Sequence, residues 1–149
     1  MRNNVKQPET IDYFLKIVWQ NVANRYNQLV AEFGFTQSIG YLLINIDEQE
    51  GTTVSQVAAL LGLKSTSLSR MLSQLEQSGL IRRESNSGDK RSVKIYLTDL
   101  GKEKRQLARS VAKQFNNYLN QHIKESDKEH LIELLKKVNQ LTNNYKPEV

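Results

Sequence analysis

The first chemical signal lies between positions 66 and 77. Thr66, Ser69, Arg70, Ser73, Gln74 and Gln77 recur in steps of three and four, which puts them on one face of a helix. The opposite face carries Leu68, Met71, Leu72 and Leu75 at i, i+3, i+4 and i+7, the stripe of a helix with one side in a core. The polar side has short hydroxyls, one guanidinium and two amides, with acid only at its flank, in Glu76. A helix of that kind suits the major groove of a duplex, where base edges present donors and acceptors. Arg70 can reach a guanine edge or a phosphate, and Gln74 can pair with adenine. The helix start near Ser65 and Thr66 offers backbone N–H groups to a phosphate.

The charge distribution agrees. Between Lys64 and Lys94 stand seven basic side chains and three acidic ones, a local +4 out of the chain's +5. Phosphate neutralisation needs positive charge concentrated in this way. A second feature is Asp89-Lys90-Arg91 beside Gly88. An arginine on a turn tip can enter a minor groove, where the negative potential attracts it. Asp89 would orient Arg91 or cap the loop. Taken alone, that tripeptide is an ordinary polar turn.

Six helices and two strands must position these residues. Pro8 and Pro147 are the only prolines in the 149 residues, so nothing between them interrupts a long helix. A first helix is predicted over residues 10–33, with Ile11, Leu15, Val18, Val22, Tyr26, Leu29 and Phe33 as its stripe and Gly34 as its stop. Thr36 caps a second helix carrying Ile39, Leu42, Leu43 and Ile46; the reason for Gly40 inside it is not legible in the sequence. Thr53 and Gln56 fit a capping box that opens a short third helix ended by Gly62. The fourth helix, Ser65 to Ser78, bears the polar face described above, and Gly79 closes it with Leu80 folding back. The period then changes to two. Val93, Ile95 and Leu97 read as a strand paired with Leu80–Glu84 across a polar turn of residues 85–91. Thr98 caps a long fifth helix, and Ser126 with Glu129 form a capping box for the last, which carries Leu131, Leu134, Leu135, Val138 and Leu141.

This order is mainly α with a small β-hairpin wing. It resembles the winged helix-turn-helix of MarR-type bacterial transcriptional regulators. The resemblance is carried by Thr53-Val54-Ser55-Gln56-Val57-Ala58, Leu61-Gly62-Leu63, Ser69-Arg70-Met71-Leu72, Leu75-Glu76, Gly79-Leu80-Ile81, Gly88-Asp89-Lys90-Arg91-Ser92, Leu97-Thr98 and Gly101. Its most specific part is the Asp-x-Arg wing followed by a strand and Leu-Thr-x-x-Gly. The resemblance implies an N-terminal dimerisation helix over residues 1–34, a winged helix-turn-helix DNA-binding domain over 35–98, and C-terminal dimerisation helices over 99–149. It further implies a homodimer on pseudo-palindromic double-stranded DNA, acting as a repressor and released by a small ligand. Position by position, Ser65, Thr66, Ser69, Arg70 and Gln74 match the recognition helix, and Asp89 and Arg91 match the wing pair. Lys90 stands between the latter where Arg is frequent, and Gln74 stands where some relatives place a second Arg. Both departures bear on base preference.

Other chemistries are poorly represented. The chain has no cysteine, which excludes thiolate metal sites, disulfides and thiol redox sensing. No phosphate loop, dinucleotide glycine motif, zincin motif or nucleophile elbow occurs, so no enzyme activity and no cofactor are expected. His122 and His130 lie near Glu125, Asp127 and Glu129 but lack compact ligand spacing, which argues against a metal. Asp47, Glu48 and Glu50 read as a solvated turn. Tyr13, Phe14, Trp19, Tyr26 and Phe35 either belong to plain core or line a pocket for a small aromatic effector, as the resemblance suggests. No apolar run reaches membrane-spanning length, and the N-terminal residues have no apolar signal core, so a cytoplasmic protein is expected. The competing class is a winged-helix protein–protein module without DNA. It would need an apolar or acidic face where Arg70 and the local +4 stand. A small hydrolase has no residue constellation to motivate it.

Overall fold

The computed structural model describes residues 9–86 and 89–147, and for residues 65, 86 and 89–92 the backbone alone. The elements are α1 (Ile11–Val30), a 3-10 turn (Ala31–Phe33), α2 (Gln37–Asn45), β1 (Thr52–Thr53), α3 (Val54–Leu61), α4 (Ser65–Gln77), β2 (Ile81–Asn86), β3 (Asp89–Leu97), α5 (Asp99–His122) and α6 (Glu125–Asn144). The chain falls into two compact units, Met1–Val111 and Ala112–Val149.

The predicted caps hold the helix-turn-helix of the first unit together. The Thr36 hydroxyl accepts the N–H of Ile39 at the start of α2. Thr53 and Gln56 form the reciprocal capping box at the start of α3. Gly79 takes a left-handed conformation, φ 68°, and turns the chain back so that the N–H of Leu80 reaches the carbonyl of Leu75 at 2.9 Å. A residue with a Cβ pays for that conformation.

The core of this unit joins α2, α3, α4 and the hairpin. Leu42, Leu43, Val57, Leu68, Leu72, Leu75, Ile81 and Ile95 are all buried in it. A second cluster sets Val30 and Phe35 against Ala108 of α5. Gly40 belongs to this contact. A Cβ there would stand 3.1 Å from the Phe35 ring and 3.3 Å from the Ala108 methyl, so the glycine lets α2 and α5 approach.

The sheet differs from the sequence expectation in two ways. The predicted polar turn over residues 85–91 is shorter, because pairing continues to Asn86 on one side and begins at Asp89 on the other. The register runs from Ile81↔Leu97 to Ser85↔Val93 and then shifts to Asn86↔Asp89. Polar side chains signalled that both faces meet water; they do not stop backbone pairing. Leu80, expected in the strand, lies in the turn before it. The second difference is an extra strand. Thr52 and Thr53 pair with Ile95 and Lys94, giving the order β1-β3-β2. Two residues are too few to show a period. Ser87 and Gly88 of the expected wing tip lie outside the described residues.

One further expectation is corrected, and one helix face is left open. The helix predicted to start behind a Ser126/Glu129 capping box begins at Glu125, with Lys124 as N-cap and no side-chain cap bond. Its first turn is held by the Lys124 carbonyl, which accepts from Asp127 and Lys128, and by a Lys128–Glu125 ion pair. The stripe of α1 is not core within the chain: Val30 is its one buried residue, while Ile11, Phe14, Val18 and Trp19 are all more than half exposed.

The start of α5 is docked on the turn after α4. The Thr98 hydroxyl donates to the Gly79 carbonyl and accepts from the N–H of Gly101. A Cβ on Gly101 would run into the Leu80 carbonyl, and backbone cannot step aside as a flexible side chain can. Gly101→Ala should therefore cost about 1–3 kcal/mol, the usual range for overpacking. Lys102→Ala one position on should stay within about 0.5 kcal/mol. Chemical denaturation of both variants checks the contrast.

Candidate nucleic-acid interface

The leucine stripe of α4 decides what its other side presents. With Leu68, Leu72 and Leu75 each at most 2% exposed, the helical period turns Thr66, Ser69, Arg70, Gln74 and Gln77 outward, and all five are exposed. Ser65 opens the helix. The N-cap is Lys64, which makes no side-chain cap bond, so the N–H groups of the first turn stay uncovered by a capping side chain.

Ser73 departs from the expected free face. Its hydroxyl accepts from an Arg83 guanidinium nitrogen at 3.2 Å. Arg83 in turn engages both oxygens of Glu76: its Nε donates at 2.9 Å, its terminal nitrogen lies 2.7 Å away, and its backbone N–H donates at 3.2 Å. The hydrogen bond from the Arg83 side chain, then the backbone N–H and the guanidinium charge, hold the Glu76 carboxyl below its ordinary value, so it is ionised at neutral pH. Sequence periodicity missed this group because its members lie on either side of the Gly79 turn. The one available signal was an acid on a helix flank that otherwise has none.

The basic excess is thus unevenly distributed. Arg83 is engaged by Glu76, and Arg82 pairs with Glu84 while lying 4.7 Å from the centre of the Tyr96 ring. Lys94 and Tyr96 both donate to the Glu50 carbonyl. No carboxylate among the described residues pairs with Lys64 or Arg70. The backbone of Asp89, Lys90 and Arg91 lies in β3; how Asp89 and Arg91 relate through their side chains is outside the described atoms.

Beside α4 runs a cleft of about 910 Å³, bordered by Phe33, Ile39, Arg70, Met71, Gln74 and Lys104 among others. Among the described residues its walls carry two cations and no acid. None of Tyr13, Phe14, Trp19, Tyr26 and Phe35 lines it. Phe35 is core, and Phe14 and Trp19 are exposed.

The acidic turn after α2 is built by its own residues. Asp47 accepts the N–H groups of Gln49 and Glu50. Those bonds, the one from Glu50 foremost, keep its carboxyl below the ordinary value. Glu48 pairs with Arg105 at 2.8 Å. The His122 ring donates from Nδ1 to the Tyr118 carbonyl and packs against the Tyr118 ring, while His130 is exposed. Among the described residues no three His, Asp or Glu side chains are grouped to hold a metal ion, and no helix is long and apolar enough to cross a membrane.

The sequence profile of the MarR family matches residues 35–93, from the start of α2 into β3. The transcriptional regulator TtmR of Methylorubrum extorquens is 36% identical over 77 residues, which is 52% of this chain and 40% of that regulator's own length. The organic hydroperoxide resistance transcriptional regulator of Bacillus subtilis is 31% identical over 99 residues, 66% of this chain and 67% of the relative. A crystal structure of S. aureus MepR in complex with DNA has a TM-score of 0.82 over 89% of this chain and 98% of that one, at 23% identity, a likeness of fold. With the profile falling on the same helices and hairpin that build the candidate interface, and the Bacillus regulator, 31% identical, matched over 67% of its length, this chain belongs to the MarR family.

Proposed function

We propose that the chain is a transcriptional regulator that binds double-stranded DNA as a homodimer, represses at a pseudo-palindromic operator, and is released by a small ligand. The observation that carries this reading is the exposed face of α4. It is anchored by three buried leucines, and its one arginine, Arg70, has no described carboxylate partner. Ser65, Thr66, Ser69, Arg70 and Gln74 are assigned to the major groove. Asp89, Lys90 and Arg91 are assigned to the wing, with Arg91 in the adjoining minor groove. The fold shared with the DNA-bound S. aureus MepR supports the assignment.

Dimerisation is supported by uncovered apolar surface. Trp19 and Ile11 on α1 are exposed, as are Leu131, Leu134 and Leu135 on α6. A two-fold dimer reads half-sites roughly 34 Å apart. Occupation of that stretch is the simplest route to repression. Ligand release is supported by the cleft beside α4, because Arg70 and Gln74 border both it and the exposed face. A ligand drawing Arg70 into the cleft would take it from the duplex.

Selection of bound sequences from a random duplex pool, followed by titration with salt, tests the reading. A palindromic motif and a steep loss of affinity with salt are expected. A protein–protein module would show neither. Arg70→Ala should cost about 1–3 kcal/mol on the selected duplex and relax preference at one base position; a uniform loss over all sequences would make Arg70 a phosphate anchor. Arg91→Ala should weaken operator binding and lower the salt slope by about one, with the dimer intact by sedimentation. Leu135→Glu should shift the chain to monomer and lose operator binding, because a charge in an apolar interface is left unpaired.

A further inference from the structure

Glu76 is out of place on a helix that faces a polyanion. By charge alone it should repel phosphate, and the rest of that face has no acid. The structure gives it another task. Its two oxygens take the backbone N–H, the Nε and the terminal nitrogen of Arg83, and Arg83 continues to Ser73 one turn back on α4. β2 is an edge strand of the sheet, so Glu76 also satisfies an N–H on its open side. We infer that Glu76 and Arg83, with Ser73, are positioning residues that fix the angle between α4 and the hairpin, so that helix and wing meet the duplex together.

The energetics point away from a mere stabilising role. Both side chains are about one-third exposed, and exposed ion pairs add little to folding. Direction is what three separate bonds supply. The apolar anchoring of β2 ends at Ile81, and Arg83 is the last described polar tie from that strand to α4. From Arg83 to the end of β2 at Asn86 is about 10 Å at the rise of a strand. A tilt of about 10° at Arg83 then moves the strand end by roughly 2 Å, several times the distance window of a hydrogen bond. The helix can settle in a groove with the hairpin misdirected, but the two cannot then engage at once.

The inference rests on the DNA-binding reading, and the experiment separates the two. The full chain is measured on the duplex selected for it, beside Glu76→Gln, Arg83→Gln and the double variant. Melting curves confirm that each is folded at the assay temperature. Glu76→Gln should bind about tenfold more weakly although it removes a negative charge beside DNA, a size ordinary for losing a charge-assisted bond. Arg83→Gln should lose a similar factor, and the double variant no more than either alone, since all three open one clamp. Hydroxyl-radical protection where the wing lies should fade while the major-groove contacts of α4 persist. Should Glu76→Gln melt too low, Glu76→Asp, which keeps the charge but shortens the reach, is expected to weaken binding as well. Equal or tighter binding by a folded Glu76 variant overturns the inference, as does a loss confined to Arg83→Gln with a salt slope lower by about one, which would make Arg83 a phosphate ligand. A wild-type chain that binds no duplex removes the DNA reading and the clamp with it.

Discussion

Everything the exposed side of this molecule offers follows from the burial of Leu68, Leu72 and Leu75 along one side of α4. A helix has one rotational freedom about its axis, and three leucines sunk into the α2–α3–hairpin core remove it. Each contributes about 1.5–3 kcal/mol. A partly exposed ion pair such as Arg83–Glu76 contributes at most about 1 kcal/mol. The two kinds of contact therefore have different jobs. The leucines hold the helix and dictate that Arg70 and Gln74 point outward; the polar group at Arg83 sets the bearing of the neighbouring hairpin.

The same core transmits position along the chain. The first turn of α5 is fixed by Thr98 to the Gly79 carbonyl and by the absence of a Cβ on Gly101 against Leu80. Three turns of side chains are thus not needed to tie α5 to α4, since the backbone between them is in direct contact. One turn further along, the buried Arg105 reaches the Ile46 carbonyl at 3.2 Å and Glu48 at 2.8 Å, which pins the same helix to the end of α2. Lys104 adds a bond of 2.7 Å to the Phe33 carbonyl. A rotation of the first half of α5 would have to break these contacts or carry α2 and the α4 turn with it. The cleft that Lys104 shares with Arg70 lies inside this tied region.

Much of this arrangement was legible in the sequence, and the parts that were not share a physical cause. Helix order, the Thr36 and Thr53 caps, the Gly79 turn and the inner and outer faces of α4 all leave local signatures, in a period or a cap spacing, and they are found where those signatures place them. What depends on contact between distant segments left none. β1 is two residues long and exists because Ile95 and Lys94 lie opposite it. Gly40 and Gly101 record close approaches to Ala108 and Leu80 that no window of neighbours contains. Ser73 looked like a groove-facing hydroxyl until Arg83 was brought to it across the turn. The missed start of α6 is different in kind: Ser126 has the right residue type, but the chain turns at Lys124 and the backbone there supplies the first bonds.

The terminal helices show where pattern reading reaches its limit for another reason. An amphipathic stripe says that a face seeks an apolar partner and nothing about which molecule provides it. Within this chain α1 has 20 residues and buries one of them, and α6 has 20 and buries none. In proteins most of a helix's stability comes from packing its apolar face, not from propensity. Ile11, Val18 and Trp19 on the first helix, and Leu131, Leu134 and Leu141 on the last, remain uncovered, and large uncovered apolar faces mark interaction surfaces. On the proposed reading, the stability of these helices comes from a surface outside the chain. A second copy is the one partner always present at matched concentration, and two-fold pairing would place a second α4 beside the first at a fixed spacing. The apolar faces that look unfinished in one chain and the hydrogen-bonding face of α4 then belong to one requirement: a half-site reader gains affinity and register when its own uncovered surface is what joins it to its twin.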